Sequence, residues 1–150
     1  MERLISGQER HGGLYALDTV TLIYYLERHP TYYAAARTLF EKIEGGDISA
    51  VISSLVFAEL LVPAYRAGQP QLAENVTHIL SHYPNLRVIP LSSEIAAAAA
   101  QLRATHQLRT PDAIHLATAR HAGARGFITN DKELKKAAGN DCEILLFADR

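Results

Sequence analysis

The sequence predicts an α/β domain: a mostly parallel sheet of four to five strands, covered by helices on both faces in a three-layer α/β/α arrangement. Three observations predict it. Short apolar runs alternate with longer segments of helical periodicity along the chain. The 150 residues amount to one domain, long enough to bury a core without staples. No internal repeat, linker or low-complexity stretch divides them.

Residues 1–12 lack periodicity and are read as an N-terminal extension, a mobile tail ahead of a domain over 13–150. The run 14–17 is the first strand, ending at Asp18. A helix over 19–28 follows and stops before His29-Pro30. Thr31 is the expected N-cap of a second helix reaching Phe40 and Ile43, which Gly45-Gly46 closes where a left-handed turn is cheap. Residues 47–52 form the second strand, and Ser53 or Ser54 caps a helix to about 67 that Pro63 should kink. A helix over 71–82, a third strand over 86–89 and a helix capped by Ser92 or Ser93 come next. The alanine run 96–100 gives that last helix high propensity and a narrow face for close packing, out to about Gln107. Thr110-Pro111-Asp112 opens a further helix by three cues: a capping hydroxyl, proline at the first helical position and a carboxylate at the positive end of the dipole. A fourth strand over 126–129, a short helix over 132–138 and an edge strand over 143–147 complete the chain.

Composition excludes several function classes. With 15 Lys and Arg against 16 Asp and Glu, the net charge is −1, too little cationic excess for a general nucleic-acid coater. The single cysteine, Cys142, makes no internal disulfide, and no zinc-ligand spacing is present, which fits a reducing cytoplasm. The first residues carry Glu2, Arg3, Glu9 and Arg10 without an apolar core, unlike a secretory signal. The longest hydrophobic stretch, 49–65, is interrupted by Ser53, Ser54 and Glu59, so no membrane association is expected.

In parallel sheets functional groups gather at the carboxyl edge. Asp18 directly follows the first strand and Asp131 follows the fourth by two residues. Glu59 lies on the helix leaving the second strand, among Phe57, Ala58, Leu60 and Leu61. A helix feeding a parallel fourth strand must run antiparallel to it, which brings Asp112 at its start to the same edge. Carboxylates so gathered cannot all stay ionised without a counter-charge. All-oxygen ligation selects hard divalent ions, Mg²⁺ or Mn²⁺, and the chemistry that follows is phosphate-ester hydrolysis by an activated water.

Each residue also has a plainer reading. Asp18, Asp112 and Asp131 are all at home as helix caps or first-turn acids. Glu59 is the informative member, because burying an unpaired carboxylate is costly. His78 and His82, spaced i, i+4 without an intervening HExxH glutamate, suit a solvated helix face. Arg109 is a candidate phosphate-binding residue whose ordinary role is a surface ion pair. Lys132, Lys135 and Lys136 suit solvent, and Tyr24, Tyr25, Tyr32 and Tyr33 cluster at the first helical hairpin as core or as an interface.

The segments Leu17-Asp18-Thr19, Ile52-Ser53-Ser54-Leu55 through Glu59-Leu60-Leu61, Thr110-Pro111-Asp112-Ala113-Ile114 with Ala117-Thr118-Ala119, and Ile128-Thr129-Asn130-Asp131 resemble PIN-domain nucleases, in motif order. They look most like VapC-type toxins of VapBC toxin–antitoxin pairs. That resemblance implies Mg²⁺- or Mn²⁺-dependent cleavage of RNA. It carries the family's acidic site onto Asp18, Glu59, Asp112 and Asp131, as catalytic and metal-holding residues. Thr129 becomes a supporting hydroxyl, with Thr19 and Asn130 beside it. It also implies a homodimer neutralised by a VapB-like antitoxin whose C-terminal segment covers the site. Two departures stand out: a dozen residues precede the first strand, and Val20 stands two positions after Asp18, where many such toxins carry a small polar residue.

Other functions are weaker fits. A phosphatase using Asp18 as nucleophile needs a second acid at position 20, where Val20 stands. A receiver domain needs an acid beside Asp18. A PIN nuclease of RNA processing outside any toxin–antitoxin pair, or a PIN-like module that binds RNA or protein without catalysis, remains the alternative. Retention of all four acids speaks against the silent module.

Overall fold

The computed structural model describes residues 1–5 and 12–147. Five strands, β1 (Leu14–Leu17), β2 (Ser49–Ser53), β3 (Leu86–Ile89), β4 (Gly126–Thr129) and β5 (Glu143–Leu146), form one sheet in the order β3-β2-β1-β4-β5. Every neighbouring pair is parallel, and β5 is an edge, as the sequence pattern anticipates.

Strand periodicity sorts the apolar side chains into two cores. From β1, Tyr15 and Leu17 point to one face and Ala16 to the other; from β2, Ala50 and Ile52 oppose Val51; from β4, Ile128 opposes Phe127. The first face is covered by α1 (Glu2–Ile5), α2 (Thr19–Leu26), α3 (Tyr33–Glu44), α4 (Leu55–Leu60) and α6 (Pro70–Ser81), through Leu4, Leu22, Leu39, Phe40, Val56 and Leu80. The second is covered by α7 (Ser93–His106), α8 (Thr110–His121) and a 3₁₀ helix, Lys132–Ala137. Here Ala99, Ala113, Ala117 and Ala119 are buried, and these small side chains let α7 pack closely on α8 and α8 on the sheet. Cys142 is buried in this second core, and burial pushes its thiol up to about 11.

Several boundaries differ from the sequence reading. Thr31 does not cap α3, which starts at Tyr33 with no side-chain cap; the His29 ring instead fixes the turn ahead of it, its Nδ1 accepting from the N–H groups of Thr31 and Tyr32 at 3.1 and 3.2 Å. The helix expected to be kinked by Pro63 is two helices, α4 and α5 (Val62–Arg66), divided at Leu61. Proline has no N–H to continue the first helix and is well placed in the opening turn of the second. Ser54 stands at the N-cap position of α4, but its hydroxyl does not bond the helix: Ser53 Oγ accepts from Leu55 N–H, and Ser54 Oγ accepts from Leu91 N–H, tying α4 to the segment after β3. Ser92 does cap α7, its hydroxyl accepting from Ile95 N–H at 3.2 Å. α8 begins at Thr110 itself, with Arg109 in the cap position. Residues 132–137 form a 3₁₀ helix rather than an α-helix. Of the N-terminal extension, Glu2–Ile5 is helical and Leu4 is buried in the first core beside Met1; residues 6–11 lie outside the described residues.

Tyr24, Tyr25 and Tyr32 belong to the hairpin core, and Tyr33 stacks on Tyr25 beside it. Tyr25 stacks on Phe40 with ring centroids 4.5 Å apart, and Tyr24 packs against His29, Tyr32 and Phe147.

Strand order decides where a site can form. The chain leaves β1 toward β2 and β3, then crosses back through α7 and α8 to place β4 on the other side of β1. That reversal opens a crevice at the carboxyl ends of β1 and β4.

Candidate metal and nucleic-acid site

An open hollow of about 510 Å³ occupies that crevice, lined by Asp18, Thr19, Glu59, Arg109, Asp112, Asn130 and Asp131, with Val20, Ile23 and Tyr24 as its apolar wall. All four sequence-predicted acids therefore line one hollow, although they come from four separate stretches of chain.

Asp18 is fixed by the two strands that flank the switch. Its backbone N–H donates to Ile128 O, continuing the β1–β4 ladder by one residue. Its Oδ1 accepts from Thr19 N–H at 2.8 Å, capping α2, and its Oδ2 accepts from the Thr129 hydroxyl at 2.7 Å. Thr129 is fully buried, and its Oγ1 also accepts from Asp131 N–H at 3.1 Å. One hydroxyl thus couples the end of β1 to the turn after β4. Asp131 in turn accepts from Glu133 N–H at 3.0 Å, so its capping role and its place on the hollow coexist.

Glu59 reaches in from α4. Its Oε1 accepts from Thr19 Oγ1 at 2.8 Å and lies 2.6 Å from His115 Nε2. The apolar neighbours that made it conspicuous in the sequence do not surround its carboxylate, whose side chain is 36% exposed. Asp112, in the first turn of α8, pairs with Arg109, whose Nε donates to its Oδ2 at 3.0 Å; the arginine side chain is 78% exposed and the aspartate 11%. The surface ion pair expected of Arg109 is present, but at the rim of the hollow. Asn130 Nδ2 donates to Tyr24 Oη at 2.9 Å, anchoring the turn after β4 to α2.

The two best-held acids are perturbed in opposite directions. Burial pushes the Asp18 carboxyl above its ordinary range, against the lowering effects of His115, Thr129 and Thr19, with a smaller upward push from Asp112. Glu59 is held below its ordinary range, chiefly by the hydrogen bond with His115, against partial burial. Mutual repulsion of carboxylates, the cause anticipated from the sequence, is the smallest influence on Asp18.

His115 was not singled out by the sequence reading. It is 2% exposed, and its Nε2 also stands 3.3 Å from Thr19 Oγ1 and 4.0 Å from Asp18 Oδ1. A histidine among Ile114, Leu116 and Ala117 reads as core, yet its spacing of three residues from Asp112 puts both on one helical face. That spacing is the signal that marks it. Tyr24 was read only as part of an aromatic cluster; its hydrogen bond from Asn130 has no counterpart in any motif.

The donor set suits a hard divalent cation. It is almost all oxygen, and Asp18 is a desolvated carboxylate whose charged form needs a cation nearby. Among the described residues no three His, Cys, Asp or Glu side chains stand together at ligand spacing. The acids ring the hollow instead, an arrangement compatible with an ion that binds one or two carboxylates and keeps its waters.

Comparison with known proteins identifies the family and matches the fold. The family model described as PIN domain matches residues 15–140. Similar solved structures include VapBC2 from Rickettsia felis bound to a DNA fragment from its promoter, with 21% identity and a TM-score of 0.64, covering 87% of this chain and 98% of that one. A toxin–antitoxin complex from Klebsiella pneumoniae has 24% identity and a TM-score of 0.64, covering 92% and 99%. Mycobacterium tuberculosis VapC20, a sarcin-ricin loop cleaving toxin, has 18% identity and a TM-score of 0.67, covering 85% and 97%. No curated protein sequence matches.

Proposed function

Because the chain belongs to the PIN-domain family, we propose that it is a Mg²⁺- or Mn²⁺-dependent endoribonuclease and acts as the toxin of a toxin–antitoxin pair. The observation that carries this reading is the Asp18 carboxylate, only 13% exposed, which shares one hollow at the β1–β4 switch with Glu59, Asp112 and Asp131.

Asp18, Glu59, Asp112 and Asp131 would hold the cation, directly or through water. When bound, such an ion polarises a phosphodiester oxygen and lowers the pKa of an attacking water. The chain's own residues do the positioning. Thr129 orients Asp18 by its 2.7 Å hydrogen bond, Thr19 orients both Asp18 and Glu59, and Asn130 braces the turn that carries Asp131. Arg109, exposed at the rim, can release Asp112 and take a phosphate of the RNA.

The relatives crystallised as toxin–antitoxin complexes support a VapB-like antitoxin as partner. The family resemblance extends this to a homodimer in the cytoplasm. Among the described residues no helix is long and apolar enough to cross a membrane.

The test is cleavage of single-stranded RNA by purified protein with Mn²⁺ and with EDTA. Cleavage only with the metal is expected; cleavage that persists in EDTA overturns the metal dependence, and RNA binding without cleavage returns the non-catalytic module. Whether a small DNA-binding protein is encoded in the adjacent reading frame separates the toxin from an RNA-processing nuclease.

A further inference from the structure

Resting on that metal-nuclease reading, we propose that His115 is a positioning residue for the metal site. Its Nε2–H grips Oε1 of Glu59, so that Oε2 is the oxygen left to face a cation.

The two ring nitrogens are in unlike places. Nε2 lies 2.6 Å from a carboxylate oxygen and therefore carries the hydrogen, which is shared with Thr19 Oγ1 at 3.3 Å. Nδ1 is buried with no hydrogen-bond partner among the described residues. A bare lone pair is tolerable there, whereas a buried N–H without an acceptor is costly.

This asymmetry decides between two roles. Nε2 stands between Glu59 and Asp18, where a metal-ligating nitrogen would also be placed. Ligation would use the Nε2 lone pair and move the proton to Nδ1. Metal-bound imidazoles donate that other N–H to an acceptor that fixes the ring, and among the described residues no carboxylate or carbonyl stands beside this buried Nδ1 to take it. His115 therefore orients a ligand and does not become one. α8 is packed on the sheet through Ala113, Leu116 and Ala117, so the ring is held by a rigid element on the same face that presents Asp112.

Titration calorimetry with Mn²⁺ on the whole chain tests the assignment, comparing wild type with H115L and H115Q. H115L lacks the donor and should bind about 10- to 100-fold more weakly, the usual effect of losing a partner that orients a ligand. H115Q carries an amide N–H near the position of Nε2 and should recover affinity to within about 3-fold of wild type. The echo-modulation spectrum of bound Mn²⁺ should show no directly coordinated ¹⁴N. H115M replaces H115L in the comparison if leucine prevents folding. Wild-type affinity in a folded H115L or H115M, no recovery in H115Q, or a directly bound ¹⁴N overturns the role of His115 alone. A wild-type protein that binds no Mn²⁺ overturns the metal reading, and the role of His115 falls with it.

Discussion

Helix α8 is flanked by two hollows of similar size, and only one has the chemistry of a site. Near its first turn lies the acidic hollow of about 510 Å³; beside Ala117, Arg120 and His121 lies a groove against α7 of about 460 Å³. The groove sets Glu94 of α7 against Arg120 and His121 of α8, and its His121–Glu94 contact spans 4.0 Å between exposed side chains. The acidic hollow sets four carboxylates against one exposed arginine and desolvates part of them, so that Asp18 is pushed above its ordinary range. Volume does not separate them. What separates them is charge kept where water is scarce, which a fold tolerates only when something else stabilises it.

Breaking the contrast takes one substitution in each hollow. D18N should lower Mn²⁺-dependent RNA cleavage by at least about 100-fold, the scale of losing several kcal/mol of charge stabilisation. H121A in the groove should leave the rate within about 2-fold. The same D18N protein should unfold at an equal or higher temperature at pH 7. A carboxyl whose folded pKa lies above its unfolded value loses stability as pH rises through that window, so at neutrality Asp18 is a liability that the amide removes. Calorimetric melting of both proteins checks this, and a large fall in Tm would mean that Asp18 is structural.

A second-ranking effect sharpens the role of the supporting hydroxyl. T129V keeps the shape of a fully buried side chain but removes the bonds to Asp18 and Asp131, and should lower cleavage about 10-fold or more. R109A should act on substrate binding: KM for RNA rises several-fold with kcat little changed, and the salt dependence of binding flattens by about one phosphate contact. Its melting temperature should not move, because the arginine is exposed.

The smallest effect is on pH-dependent stability. Glu59 is held below its ordinary value of 4.5, so the stability from its pairing is present above that pH and is lost as pH falls through the folded value. E59Q should therefore flatten the acid limb of a stability-versus-pH profile measured by denaturant unfolding. An unchanged limb would show that the His115 contact contributes nothing in solution.

Most of the architecture was legible because it rests on local rules. Apolar runs of strand length, the Thr110-Pro111-Asp112 helix start and the Gly45-Gly46 stop are each readable without tertiary context, and Gly46 does adopt a left-handed φ of +84°. The convergence of the four acids was legible too, since strand ends and helix starts share an edge in a parallel sheet. The misses are tertiary. Thr31 is no cap because α3 starts two residues later, behind a turn that the His29 ring holds through two N–H groups, and Ser54 turned to Leu91 instead of its own helix. His115 was hidden because a histidine in an apolar helix looks like core until Glu59, 56 residues away, is placed against it. Leu4, in a segment without periodicity, announced nothing of its place in the first core.

The bond between Thr129 and Asp18 joins residues 111 positions apart, across two strands that meet only after α8 has been made. During translation the first strand, the hairpin and most of the helices leave the ribosome before any partner for that side of β1 exists. Pairings across so long a separation are late and slow to form. A growing chain that has not yet made β4 lacks Thr129, Asn130 and Asp131, so the acidic hollow stays incomplete until that strand and the turn after it are in place.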